Sequence, residues 1–244
     1  MSYLADKLSL MFRAWRYRYR LDRAEISYLL QHLKSGDTAV DIGAHKGGYS
    51  YWMLRAVGKA GRVYAFEPQP ALARYLYKIK ALFQFDNFFP NHCGLSSAVG
   101  ELTLSVPGSD ASPGASFEPG LLRGTQQSHL VKVDTLDHFF NALPEVKIAF
   151  IKCDVEGHEL EVFRGGEHIL RTHRPLLMFE CEERHHLRYR SQDVFDFLIG
   201  LGYSGSFFYR GKLEPLEKLP QLGQAGLGSP DYVNNFIFYP AAKA

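Results

Sequence analysis

From Thr38 onward the sequence alternates short apolar runs with amphipathic stretches, and this alternation constrains the fold more than any other feature. Short apolar runs are typical of strands that are buried on both faces, and the stretches between them have helical spacing. The pattern predicts βαβ units and a mostly parallel sheet covered on both faces. We predict strands at about residues 38–42, 62–66, 87–92, 147–153 and 175–181, and helices near 48–57, 70–84, 134–142 and 159–171.

The two ends of the chain depart from this alternation. Residues 1–34 have apolar side chains at three- and four-residue spacing, which predicts a helical segment, and we assign 35–244 to one α/β domain. Two aromatic runs, 203–209 and 232–239, are joined by a connection rich in Gly and Pro without a convincing helix, so we predict that they pair antiparallel. The turn-rich stretch 108–120 predicts a long mobile loop.

Composition restricts the classes of function. The 244 residues are 46% hydrophobic, and a chain of this length can bury a core and support a cleft. Its 28 Lys and Arg against 26 Asp and Glu are too balanced for a surface built throughout to hold nucleic acid, although residues 1–34 carry seven cations against three acids. Three cysteines without metal-ligand spacing favour free thiols and a reducing, cytoplasmic location. No apolar run approaches the roughly 18 residues of a membrane span.

Glycines and an acid follow the first predicted strand, at the edge where open α/β sheets bind ligands. The segment reads Asp41-Ile42-Gly43-Ala44-His45-Lys46-Gly47-Gly48, and glycines there let the backbone approach a ligand closely. A dinucleotide fingerprint is incomplete because His45 stands at its middle glycine, and Asp41 would repel a pyrophosphate. A ligand with a cationic sulfonium and a free amino group suits this loop better; the alternative is a structural turn.

The second predicted strand also ends in an acid, Glu67, within Val63-Tyr64-Ala65-Phe66-Glu67-Pro68. A carboxylate at that place can accept hydrogen bonds from both hydroxyls of a ribose. Asp41 and Glu67 together indicate an adenosine-bearing ligand with a positive centre. The alternative for Glu67 is a solvated acid, or a charge at the start of the following helix.

The most specific stretch, FIKCDVEGHELEVFRGGEHIL (150–170), delivers Asp154 and Glu156 to the sheet edge where Gly43 lies. Here the sequence resembles the FkbM-like family of S-adenosylmethionine-dependent methyltransferases, in the class I superfamily. The other matching segments are DIGAHKGGYS (41–50), VYAFEPQP (63–70), NHCGLSS (91–97), VDTLD (133–137), PLLMFECE (175–182) and NNFIFYP (234–240). The resemblance covers about residues 35–240.

The resemblance implies a Rossmann-like, seven-stranded, mostly parallel sheet with an antiparallel last strand, preceded by the N-terminal helical extension. It implies S-adenosylmethionine as methyl donor and S-adenosylhomocysteine as product. It also implies roles by position: Asp41, Gly43, Ala44, His45 and Gly47 around the methionine part, Glu67 at the ribose, Gly94 and Leu95 near the adenine, and Asp154 near the amino group and the reacting methyl. His45 stands where the family usually has Asn, which leaves its hydrogen bond open.

A hydroxyl acceptor is a poor nucleophile until a general base removes its proton. The candidate catalytic residues are Asp154, Glu156 and His158, of which His158 has the most suitable ordinary pKa and Glu156 lies in the more family-typical motif. The alternative for Glu156 is a carboxylate that stabilises the first turn of a helix.

Further acids and histidines follow the next predicted strand. A divalent metal held by Asp154, Glu180 and Glu182 is conceivable, since hard cations favour carboxylates, but we do not predict one. We interpret His185 and His186 as part of a solvated polar loop.

The N-terminal run 11–20 interleaves cations with aromatic residues. It could lie on an anionic membrane, stack on a nucleic acid or bind an acidic glycan. The plainer alternative is a helix that docks on the sheet domain, or on a partner subunit of a homo-oligomer, while its arginines stay in water. A sharper hypothesis is that this run captures the acceptor, with the 106–127 loop as a lid.

We predict a methyltransferase that methylates a hydroxyl of a sugar, a glycan or another hydroxylated metabolite. An N-methyltransferase and a non-catalytic module that binds a cofactor or a partner stay open as alternatives, and a nicotinamide dehydrogenase is disfavoured by Asp41. The expected partner is a small-molecule or glycan acceptor rather than a nucleic acid. Peripheral contact of residues 1–20 with the inner membrane surface, and a homo-oligomer, are left open.

Overall fold

A computed structural model describes residues 3–108, 111–118, 120, 126–223 and 225–241. Its strands are β1 Thr38–Ile42, β2 Arg62–Phe66, β3 Phe88–Asn91, β4 Gly94–Leu95, β5 Gly100–Pro107, β6 Gln126–Asp134, β7 Ile148–Cys153, β8 Leu176–Glu180, β9 Tyr203–Tyr209, β10 Lys212–Pro215 and β11 Asn235–Pro240. Its α-helices are α1 Tyr3–Arg16, α2 Arg23–His32, α3 Gly48–Val57, α4 Pro70–Phe83, α5 Leu136–Asn141, α6 Glu159–Arg164, α7 Glu167–Thr172, α8 Ser191–Gly200 and α9 Leu219–Leu222. A π-helical turn, Tyr17–Leu21, joins α1 to α2, and short 3-10 turns lie at Glu183–His185 and Leu216–Lys218.

The main sheet has the strand order β10-β9-β11-β8-β7-β1-β2-β3. The five strands from β8 to β3 run parallel, and β11 runs antiparallel between β8 and β9. This confirms the Rossmann-like class I fold and the antiparallel pairing of the two aromatic runs. In the described part of the chain the sheet has eight strands rather than seven, because Arg210 and Gly211 both have positive φ and close a two-residue hairpin that adds β10 at the edge.

The strand order places β1 in the middle of the parallel region, between β2 and β7. All five residues of β1 are buried, because helices cover both faces of the sheet there. The carboxyl ends of β1, β2, β7 and β8 therefore meet at one edge, next to the loops that carry most of the candidate site residues. A smaller sheet, β4-β6-β5, stands beside this edge.

The N-terminal segment packs directly on the sheet domain. Its buried residues Ala14, Ile26 and Leu29 share one apolar cluster with Trp52 and with Phe150 of β7. The Trp52 indole Nε1 donates a hydrogen bond of 2.8 Å to the carbonyl oxygen of Ala14. Within the described residues the helical prediction is confirmed from Tyr3 to His32, with a π-helical turn between the two α-helices, and the segment contributes to the common core.

The helix predicted near 159–171 is divided into α6 and α7 at Gly165-Gly166. A Cβ atom at Gly165 would lie 2.0 Å from the carbonyl oxygen of Ser96, so the chain comes too close to the neighbouring loop for a side chain there. The Gly165 carbonyl instead accepts a bond from the Asp137 amide at 2.9 Å.

The loop predicted to be mobile, 108–120, is anchored where the structure describes it. Residues 109, 110, 119 and 121–125, which belong to that prediction and to the lid hypothesis, lie outside the described residues. Ser116 pairs with Ser105 of β5 through two backbone hydrogen bonds, and both Phe117 and Glu118 are buried. Among the helices that are described, none combines the length and apolarity needed to cross a bilayer.

Candidate functional site

A cavity of about 250 Å³ opens at the carboxyl ends of the central strands. The predicted site residues that line it are Asp41, Gly43, Ala44, His45, Glu67, Gly94, Leu95, Asp154 and Glu156. They come from four separate stretches of the sequence, and the strand order brings them together.

Two predicted site residues are not part of the cavity wall. Gly47 has φ +73 and precedes α3, so it serves the turn rather than the lining. His158 is buried, with Nε2 2.9 Å from the Ser96 hydroxyl and Nδ1 2.9 Å from a Glu118 carboxylate oxygen. Both ring nitrogens of His158 are thus engaged inside the protein. The structure places this candidate base apart from Asp154 and Glu156, because the chain turns at Gly157, whose φ is +95, and directs His158 toward Ser96 and Glu118.

Lys152 links the two acids of the cavity. Its Nζ lies 3.0 Å from Asp154 Oδ2 and 3.9 Å from Asp41 Oδ1. Burial lowers the pKa of Lys152, but the carboxylates of Asp154 and Asp41 outweigh burial and raise that pKa above its ordinary value. Lys152 therefore stays charged, and it balances two carboxylates with one cation.

Asp41 is fully buried and incompletely satisfied. Burial raises its pKa, which the Lys152 charge and the Ser50 hydroxyl partly counteract. Ser50 donates a 2.5 Å bond to Oδ2, while Oδ1 has no hydrogen-bond partner. A buried acceptor without a partner is unfavourable in the free protein, so this wall of the cavity suits a ligand that brings a cation or an N–H group.

Glu67 holds together the loops that follow β1 and β2. Its Oε2 accepts a 2.7 Å bond from the His45 amide, and its Oε1 accepts a 2.9 Å bond from the Gln69 amide. The side chain is buried rather than solvated, and burial raises its pKa to about 7. Each carboxylate oxygen can accept a further bond, so Glu67 keeps capacity for two donors from a ligand.

Gly43 permits the closest backbone approach in the site. Its φ is +72, and a Cβ atom there would lie 1.9 Å from the Asp154 carbonyl oxygen. The ends of β1 and β7 can therefore meet only because this residue has no side chain.

Glu156 pairs with a histidine at the edge of the cavity. Its Oε2 lies 2.8 Å from His185 Nδ1, and its carbonyl accepts a 2.6 Å bond from the Ser116 hydroxyl. The interpretation of His185 and His186 as a solvated loop is wrong, because their side chains are 11% and 0% exposed. A Cβ atom at Gly157 would lie 2.3 Å from the His185 carbonyl oxygen, so the two loops pack tightly.

Several cavity residues were absent from the predicted site. Lys152 lies inside an apolar run of the sequence. A single lysine within a predicted buried strand was the signal that could have identified it as a site residue. Arg13 and Tyr17 come from the N-terminal segment, and Arg13 donates a 3.3 Å bond to the Lys46 carbonyl oxygen. Glu180 also lines the cavity, and burial, followed by the neighbouring Asp154 charge, raises the pKa of this carboxyl above its ordinary value.

The conceivable metal ligands have other partners. Glu182 accepts bonds of 2.5 and 3.0 Å from Arg184, and these bonds, with those from Glu180 and Tyr232, outweigh burial and lower the pKa of Glu182. Asp154 is paired with Lys152. Within the described ranges, the group with ligand atoms close enough to hold a metal is a different one: Glu159, Cys181 and His186, whose atoms lie within 4.8 Å of one another.

Comparison with known proteins agrees with this geometry. A model of the Methyltransferase FkbM domain matches residues 41–204. The chain is 27% identical over 142 residues to Methyltransferase 1 of Beauveria bassiana, covering 52% of this chain and 57% of that protein. It is 28% identical over 166 residues to the hexuronic acid methyltransferase AglP of Haloferax volcanii, covering 65% of this chain and 62% of that protein. The chain thus spans less than two thirds of the length of these relatives.

A solved structure shares the fold. The crystal structure of Methyltransferase FkbM from Methylobacillus flagellatus superposes with a TM-score of 0.55 at 18% identity, covering 84% of this chain and 44% of that one. At this identity the likeness supports the architecture alone.

Proposed function

Because the chain belongs to the FkbM methyltransferase family, we propose that it transfers a methyl group from S-adenosylmethionine to a hydroxyl of a sugar, a glycan or another hydroxylated metabolite. The observation that carries the proposal is the pair of buried strand-end acids in the cavity, Asp41 with one oxygen that lacks a hydrogen bond and Glu67 with two remaining acceptor sites. The hexuronic acid methyltransferase among the relatives supports a sugar acceptor. Three unpaired cysteines support a reducing compartment such as the cytoplasm.

The residues present fit the donor. Asp41 and Asp154 would hold the amino group, Glu67 would accept bonds from the ribose hydroxyls, and Gly94 and Leu95 would flank the adenine. When bound, S-adenosylmethionine supplies a methyl group already activated by the sulfonium charge, so the protein has to align the reactants and exclude water. Lys152 fixes the position of the Asp154 side chain through a 3.0 Å ion pair.

Glu156 is the group we assign to accept the proton of the acceptor hydroxyl. It lines the cavity, and one carboxylate oxygen is held by His185 while the other is left for the acceptor. Glu180 is not assigned as the base, because burial and the neighbouring Asp154 charge raise its pKa and disfavour its charged form, and its Oε1 already accepts a bond from Asn234. His158 is not available for this step, because both of its nitrogens are engaged by Ser96 and Glu118.

The test combines binding with turnover in the full chain. Calorimetric titration should show binding of S-adenosylhomocysteine and none of NAD. With methyl-labelled S-adenosylmethionine and separate pools of sugars, uronic acids and amines, mass spectrometry should find the label on a hydroxyl. Glu156→Gln should lower kcat by about 10²–10⁴-fold while the Kd for S-adenosylhomocysteine stays constant. The matched control Glu167→Gln, at an exposed position on α7, should leave both unchanged.

Three outcomes would overturn parts of this proposal. Binding of NAD without the sulfur nucleoside would exclude the donor. Label on an amine, with full activity in Glu156→Gln, would identify an N-methyltransferase. Binding without turnover on any pool would identify a non-catalytic module.

A further inference from the structure

The N-terminal helix α1 and the π-helical turn after it have two opposite faces. The inner face is buried, with Leu10 and Ala14 both 0% exposed. The outer face carries Leu8, Phe12, Trp15 and Tyr19 at helical spacing, and these side chains are 46–74% exposed. Large apolar side chains that stand together on the surface mark an interaction site more often than scattered ones do.

In the same segment, the acidic side chains face the domain, whereas cations are exposed on the outer face. Asp6 is turned inward, where it is 2.5 Å from Lys78 Nζ. Asp22 is also turned inward, where it accepts a 2.9 Å bond from the Tyr49 hydroxyl and lines the cavity. The cations Arg16 and Arg20 are exposed beside the apolar stripe. Between residues 5 and 21, no exposed side chain is acidic.

We propose that this outer face, defined by Leu8, Phe12, Trp15, Tyr19, Arg16 and Arg20, docks on a lipid bilayer rich in anionic headgroups. Aromatic and aliphatic side chains flanked by arginines match the apolar and anionic layers of such a surface. A second copy of this chain related by a two-fold axis would bring two such cationic faces together with no exposed acid on either to pair with the arginines, which disfavours self-association through this face. The inference does not depend on the proposed function.

Docking would place the cavity close to the lipid surface. Arg13 and Tyr17 line the cavity, and they belong to the same helical turns as Phe12, Trp15 and Arg16. The segment is also fixed to the domain by the bond between Trp52 and the Ala14 carbonyl, so the outer face and the cavity keep their relative positions.

The experiment is cosedimentation of the full chain with vesicles. The protein should bind vesicles of equal parts phosphatidylcholine and phosphatidylglycerol, should not bind phosphatidylcholine alone, and should release as salt rises. Arg16→Gln with Arg20→Gln should weaken binding on the order of tenfold or more. Leu8→Ser with Phe12→Ser should weaken it to a similar extent, because less apolar surface enters the interface.

Matched controls change the same residue types on other faces. Arg55→Gln with Lys59→Gln, and Val99→Ser with Leu130→Ser, alter exposed positions outside the segment and should bind vesicles as the unchanged protein does. Equal loss in the variants and their controls would overturn the proposal, as would binding to both vesicle types alike or to neither. A dimer in light scattering that Leu8→Ser with Phe12→Ser dissolves, without vesicle binding, would assign the face to a second copy. Calorimetric titration with S-adenosylhomocysteine tests the proposed function separately. A failure to bind vesicles can therefore be distinguished from a failure to bind the cofactor.

Discussion

At the scale of single residues, Gly43 tests how closely the site depends on backbone geometry. Gly43→Ala places a methyl group against the Asp154 carbonyl at a φ of +72, so we expect a loss of about 2–4 kcal/mol in the free energy of unfolding and more than tenfold weaker binding of S-adenosylhomocysteine. The control is Gly36→Ala, at φ +93 with no atom within 4 Å.

Gly36→Ala should lose only the left-handed backbone preference, about 1–2 kcal/mol, and should bind the ligand normally. Urea titration and calorimetry measure the two quantities. Equal effects of both substitutions on ligand affinity would show that strain alone, rather than the contact with β7, governs the loop.

A site residue can be predicted from the sequence when its position along a strand determines where it lies in the fold. Asp41 and Glu67 follow strand ends, and any fold with this strand order brings them to one edge. The pairing of Lys152 with both acids depends on the register of β1 against β7, which the sequence does not specify. His158 lies only two residues beyond Glu156, yet its partners Ser96 and Glu118 are distant in sequence and turn it away from the cavity.

At the scale of elements, the two faces of α1 predict opposite responses to the same substitution. Leu10 is buried with Ile79 and Leu82 of α4, whereas Leu8 is 56% exposed. Leu10→Ala should lower the free energy of unfolding by about 2–5 kcal/mol, and Leu8→Ala should change it by less than about 0.5 kcal/mol. Urea denaturation measures both. Similar small changes would show that the segment does not belong to the common core.

The central strands and helices were predictable because each has a local sequence pattern with a strong hydrophobic period. The strands β1 and β2 and the helix α3 have the predicted bounds. The hairpin to β10 and the division of α6 from α7 were not predictable. The division of α6 from α7 depends on a non-local contact with the Ser96 carbonyl that overrides local propensity. The strand β10 instead pairs locally with β9 through the turn at Arg210 and Gly211, which the prediction included in a connection without a convincing helix.

At the scale of the whole molecule, buried carboxyls set the dependence of stability on pH. Burial raises the pKa of Asp22 to about 6, of Glu25 and Glu67 to about 7, and of Glu159 to about 8. The folded state therefore keeps protons that the unfolded state has lost above about pH 5, so the free energy of unfolding should fall as pH rises toward 8. His45, whose pKa burial lowers to about 4, opposes this between about pH 4 and 6.5.

The carboxyls outnumber His45, so we expect the ligand-free protein to be more stable at about pH 5.5 than at about pH 8, by on the order of a few kcal/mol. Urea denaturation at the two values measures the difference. Glu67→Gln should make the dependence shallower. A free energy of unfolding that rises steadily between these two pH values would contradict the assignment of buried, protonated carboxyls.

The inner position of β11 has a consequence for how the protein is made. This strand, the last one described, lies between β8 and β9, and the Asn234 amide before it donates a 2.9 Å bond to Glu180 at the cavity. During synthesis from the N-terminus, β8 and β9 must wait with open edges until this segment leaves the ribosome. The nascent chain therefore acquires its ligand site only after residues 235–240 have left the ribosome, and until then it exposes unpaired strand edges that could pair with another chain.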